Sequence, residues 1–185
     1  MPFLDIVGVS ATLNTFNAGF AFFEAETVEC YVWALEQFSA VVAPKVVATD
    51  REVALMNALE VVFPDARNVL CIWHINKHVV SNTRNYFADT EEFNDFMKMW
   101  SSCAYAKTAE EYESHWWALK EQSQFDGREA AITYLCDVWL PLGAKFLTHR
   151  TDSVLHFGTT STSRGEPSRY KELPQDSFVR HPHGV

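Results

Sequence analysis

No apolar run in these 185 residues approaches the roughly 20 that a bilayer-spanning helix needs. The opening MPFLDIVGVS has neither a basic start nor a long apolar stretch, so no secretory leader is read there. Positive charge is scarce. Fifteen Lys and Arg stand against twenty-four Asp and Glu, a formal net charge of −9. Such a chain matches nucleic acid poorly unless basic side chains gather locally. Lys77, Arg84, Lys98, Lys107 and Lys120 are scattered and make no stripe. Cysteine is thinly used as well. Cys30, Cys71, Cys103 and Cys136 form no C-x-x-C pair, which excludes a disulfide framework and fits isolated reduced thiols. The expectation from these absences is a soluble intracellular protein with no membrane partner.

What is present is core material. Hydrophobic residues make up 48% and aromatics 14%, enough for one domain with an appended helical segment. Phe3 to Val9 reads as a buried strand, and the alternation of Phe16, Ala18, Phe20 and Phe22 has a strand's period. Thr27 is placed to cap a helix whose stripe is Tyr31, Leu35, Phe38 and Val42, with Pro44 as its stop. Lys45 to Thr49 is a short Val-rich strand, and Leu55, Leu59 and Val62 make the next helical stripe. Asn68 to Ile72 reads as a strand, and helix is expected from His74. Single strands separated by helices imply parallel neighbours, hence an α/β half. Beyond about residue 85 the periodicity is helical: a stripe at Phe93, Phe96, Met97 and Trp100, a capping box at Thr108 to Glu111, and a helix over 128–140 stopped by Pro141. The expected organisation is an α/β core over 1–85, a helical segment over 86–157 and a polar tail over 158–185.

Asp50 is the first residue to raise a chemical question. Its stretch, KVVATDREVALMNALE, admits two readings: a carboxylate presented at a strand end, or an acid in the first turn of a helix that Thr49 and Glu52 cap. Cys71, His74 and His78 carry zinc-compatible side chains, with the two histidines on one helix face. A structural zinc site takes four ligands, however, and no second close-spaced pair accompanies them. His115, Trp116 and Trp117 read as helix packing. Thr159 to Arg164 reads equally as a phosphate contact or as a plain Ser/Thr loop.

Three stretches, MPFLDIVGVSATLNTFNAGFAFFEAETVECYVWALEQF, PKVVATDREVALMNALEVVFPDARNVLCIWHINKHV and LHFGTTSTSR, resemble the transposase domain of Mutator-like elements. The resemblance runs nearly to Arg164. It implies a ribonuclease-H-like fold and a DDE triad of acids that holds two divalent ions, Mg²⁺ or Mn²⁺, about 3.5–4 Å apart for DNA strand cleavage and transfer. On that likeness Asp50 takes the place of the second acid and Glu166 of the third, both as catalytic and metal-binding residues. Cys71 and His74 match the family's C-x-x-H motif. The sequence departs from the pattern at Gly165-Glu166-Pro167, where a residue before proline is turned away from helical geometry. No counterpart of the first aspartate is found, and Asp5 matches a position outside the triad.

The resemblance thus implies a ribonuclease-H-like fold lacking its first strand, followed by a helical segment. Loss of a central strand exposes two sheet edges, so poor folding of the isolated chain is expected. Transposon-end DNA is the implied partner, the nucleus the implied location, and the family leaves room for a homo-oligomer. With the triad incomplete the chain is expected to be inactive as it stands. The alternative reading is a domesticated, non-catalytic module, as in the far-red-response transcription factors of plants. The likeness fades after Arg164, as a shifted reading frame would make it do.

Overall fold

The computed structural model describes residues 1–10, 12, 14–125 and 128–151. Glu166, the Thr159 to Arg164 stretch and the 158–185 tail lie outside the described residues.

β1 (Phe3–Val9) and β2 (Thr15–Phe22) form an antiparallel hairpin with Phe3 opposite Phe22 and Asp5 opposite Phe20. Pleating sends alternate residues to opposite faces. Leu4 and Ala21 turn toward the helices, while Phe3, Phe20 and Phe22 are exposed, their rings 5.0–6.2 Å apart. The phenylalanine stripe therefore has a strand's period but faces outward. Where the register slips, between Ile6 and Val7, the chain reaches Gly8. Any Cβ there would fall 2.3 Å from Cζ of Phe16, so the ring can lie across the strand only because the residue is glycine.

α1 (Val28–Ser39) starts where expected, with Thr27 Oγ1 accepting from the Cys30 N–H at 3.4 Å. It ends at Ser39, ahead of Pro44. β3 (Val46–Thr49), α2 (Val53–Val62) and β4 (Arg67–Leu70) follow, and β3 and β4 pair in parallel, from Val46 opposite Arg67 to Thr49 opposite Leu70. α3 (Ile72–Thr83) begins earlier than His74. Ile72 belongs to this helix and not to the strand, because Cys71 already sits in extended geometry at the helix start. Tyr31, Ala34 and Leu35 of α1 and Leu55, Ala58 and Leu59 of α2 form one apolar layer, on which both strand pairs rest.

The remainder is helical: α4 (Thr90–Ala104), α5 (Ala109–Phe125), α6 (Glu129–Tyr134) and α7 (Thr148–Thr151). Asp89 caps α4 by accepting from the Glu92 N–H at 2.9 Å. Thr108 Oγ1 accepts from the Glu111 N–H at 3.1 Å, and the Glu111 carboxylate reaches back to the Lys107 N–H at 2.8 Å, one residue further than a simple capping box. Pro141 does not stop the helix of 128–140. That helix loosens into a wider turn over Leu135–Trp139, and Pro141 lies in the first turn of a 3₁₀ segment, Leu140–Lys145. A missing N–H is tolerated at such a start.

These helices share a second core with the α/β half. Leu70, Ile72, Ile75 and Val79 pack with Phe93, Phe96, Trp100, Leu135 and Trp139. Trp100 is wholly buried, and its Nε1–H donates to Asn76 Oδ1 at 3.0 Å. The described chain is α/β in class, mostly helical, with two small sheets.

Candidate functional site

The two parallel strands end side by side. Thr49 closes β3 and Leu70 closes β4, and the Cys71 N–H donates to the Thr49 carbonyl at 2.8 Å. Asp50 and the C-x-x-H turn thereby meet at the carboxyl end of the β3–β4 pair, the edge where open α/β sheets bring functional groups together.

Asp50 is exposed and lies between strand and helix rather than in a helical turn. The cap of α2 is Glu52, whose Oε1 accepts from the Ala54 N–H at 3.1 Å. Thr49 is buried and accepts from Asn68 Nδ2 at 2.9 Å. The Thr49–Glu52 capping box is therefore not formed, and Asp50 has no place in the first turn. Of the two local readings, the strand-end carboxylate is the one the backbone adopts.

Electrostatics bind the surroundings of Asp50 together. Burial pushes the Tyr31 phenol up to about 12, and the carboxylates of Glu26, Glu52 and Asp50 add to the rise by disfavouring a phenolate among them. Across the junction, the Arg51 guanidinium lies 5.2 Å from the centre of the Trp139 ring. That ring is 5.9 Å from His78, and its Nε1–H donates to the Tyr134 hydroxyl at 3.3 Å. The Tyr134 hydroxyl in turn donates to the His78 carbonyl at 3.5 Å. Arg51, Trp139, Tyr134 and Tyr31 were not singled out from sequence as members of this neighbourhood. Arg51 meets Trp139, and His78 meets both Trp139 and Tyr134, from elements far apart in sequence, so no local spacing announces these contacts.

Cys71 is buried at the head of α3, and His74 is half-buried against Trp73, ring centres 4.7 Å apart. His78 is exposed on the following turn. Among the described residues no three His, Cys, Asp or Glu side chains gather in a way that could hold a metal ion. The donor set around Asp50 does not by itself fit a two-metal centre, since Glu52 is committed to its cap. Elsewhere, the His115 Nδ1–H donates to the Ser102 carbonyl at 3.1 Å and Trp116 packs on the core, while Trp117 stays exposed.

The segment that builds this junction is also the one with a recognised family. Residues 1–78 match the MULE transposase domain. That stretch holds Asp50, Cys71 and His74, and stops short of Trp139 and Glu166. The resemblance read from the residues thus stands over the MULE stretch. The chain is similar to Protein FAR-RED IMPAIRED RESPONSE 1 of Arabidopsis thaliana, 24% identical over 173 residues, covering 85% of this chain and 20% of that protein. Protein FAR1-RELATED SEQUENCE 5 of the same plant is 27% identical over 167 residues, covering 83% of this chain and 21% of that protein. Protein FAR1-RELATED SEQUENCE 4 is 28% identical over 123 residues, covering 64% and 16%. The chain spans about a fifth of the length of the first two relatives.

Proposed function

We propose that this MULE-derived domain works without cleaving DNA, as a nuclear interaction module that joins DNA-bound assemblies through protein contacts. The observation that carries this reading is that, among the described residues, no His, Cys, Asp or Glu side chains gather with Asp50 into a group that could hold a metal ion. Two-metal phosphoryl transfer needs carboxylates that converge on both ions, and of the two described acids that follow β3, Asp50 and Glu52, the second accepts from the Ala54 N–H as a helix cap. The net charge of −9 supports contact with proteins over direct contact with phosphates. The likeness to proteins named for a far-red response supports a regulatory setting.

The finer description of the fold belongs to the same proposal. A hairpin followed by helix, strand, helix, strand and helix supports a ribonuclease-H-like core. The second reading keeps the ancestral chemistry: Asp50 with Glu166 as ligands of Mg²⁺ or Mn²⁺ at transposon ends. It is favoured by the position of Asp50 at the end of a parallel strand within the MULE stretch.

The test is chromatin association in nuclei for the full chain and for Asp50→Ala. The module reading predicts equal retention of the two on chromatin. Retention lost with Asp50→Ala, in a variant that keeps its fold, would favour the ligand reading.

A further inference from the structure

α4 and α5 border a cavity of about 310 Å³, and no residue of the β3–α2 junction lines it. That is the small end of the range for ligand sites, with room for one long side chain rather than a cofactor. Part of its lining is apolar: Phe96 and Leu119 are buried, and Met99 is half-buried. Four acids line it as well, Asp89, Glu91, Glu92 and Asp95, against one base, Arg128. Arg128 is already engaged. It pairs with Glu92, and its guanidinium lies 4.9 Å from the centre of the Phe87 ring. Asp89 caps α4 through Oδ1, Asp95 meets Lys98 in an exposed pair, and Glu91 is exposed. Acids in the first turn of a helix complement its positive end, so alone they do not define a site. Ser123 adds what they lack. It is 4% exposed, lines the same cavity from α5, and its hydroxyl makes no hydrogen bond to a described residue. A hydroxyl that opens on a cavity is placed to meet what enters it.

We propose that this cavity takes a lysine or arginine side chain from a basic segment of a partner protein. Such side chains lay an aliphatic stem along apolar surface and keep the charged head among polar groups. Phe96, Met99 and Leu119 suit the stem, and the carboxylates suit the head. An ammonium or guanidinium carries enough donors to reach both a carboxylate and Ser123 Oγ. Charge decides against an anionic guest, since acids outnumber bases in the lining of a chain whose net charge is −9. Neither nuclei nor DNA enter the test, so this site and the module reading can fail separately.

Methyl and amide NMR of the full chain provides that test, with a capped glycine peptide holding one lysine as the probe. On titration to millimolar peptide, the signals of Met99, Leu119 and Ser123 should shift and saturate, and arginine in place of lysine should act alike. Norleucine in place of lysine should leave them unmoved. Glu91→Gln combined with Asp95→Asn changes two exposed side chains and should weaken binding about tenfold with the fold intact. Ser123→Ala should weaken it about tenfold as well, as the loss of one hydrogen bond to a charge does. Equal binding of the norleucine peptide would mean a plain apolar groove, and the same shifts from calcium chloride alone would mean a metal site; either result would overturn the proposal. So would shifts that spread without saturation over every acidic face, or the absence of any shift at these three residues.

Discussion

The Arg51 guanidinium sits 5.2 Å from the centre of the Trp139 ring and ties the β3–α2 junction to the C-terminal helical segment. Trp139 is almost fully buried and also contacts His78 and Tyr134. Asp50, next to Arg51 in sequence, is thereby carried on a turn anchored at its neighbour.

Two substitutions separate the ring's packing from its hold on Arg51. Trp139→Ala should cost about 3–5 kcal/mol through the cavity it opens. Arg51→Ala should cost about 0.5–1 kcal/mol, as expected for a cation held over a ring near the surface. Urea unfolding of both variants and their combination checks this. The Arg51 effect should vanish in the Trp139→Ala background.

The Asn76–Trp100 bond is the buried polar link between α3 and α4. Asn76→Ala strands the indole N–H in a dry core, at an expected cost of about 1–3 kcal/mol. Adding Trp100→Phe removes the orphaned donor. Denaturation of the four members of the cycle should give a clear coupling energy, and simple additivity would mean that the bond contributes nothing.

Tyr31 sets an alkaline limit on stability. Its phenol is raised from an ordinary value near 10 to about 12, so the folded state favours the protonated form. The contribution is fully present below about pH 10 and is lost as pH rises toward 12. Tyr31→Phe should flatten that fall in a series of unfolding curves. An unchanged slope would mean that other groups govern it.

Gly8→Ala should destabilise the hairpin by about 1 kcal/mol, the low end for overpacking, because the exposed Phe16 ring can swing aside. Phe16→Ala should absorb the penalty, so the double variant should lose no more than Phe16→Ala alone. Thermal unfolding of the three variants measures it.

The elements that periodicity and caps define were legible in the sequence. Thr27 caps α1 as its position suggests, and the Val-rich strand ends at Thr49 with a helix following from Val53. Direction was less legible than period. The alternation of Phe16, Phe20 and Phe22 marks a strand, but an exposed aromatic face and a buried one have the same spacing. Pro141 misled because proline ends an α-helix yet begins a 3₁₀ turn comfortably. At the site, Asp50, Cys71 and His74 were visible within one contiguous stretch. Arg51 with Trp139, and Tyr31 with its three carboxylates, were not, because tertiary packing brings them together.

Strand cleavage by the full chain tests the central claim most directly. The substrate is duplex DNA with Mg²⁺ or Mn²⁺ supplied, and wild type is compared with Asp50→Ala. A non-catalytic module gives no nicking above the metal-only control, and the two proteins are indistinguishable. Metal-dependent nicking that disappears with Asp50→Ala would contradict that account and restore Asp50 as a working catalytic ligand.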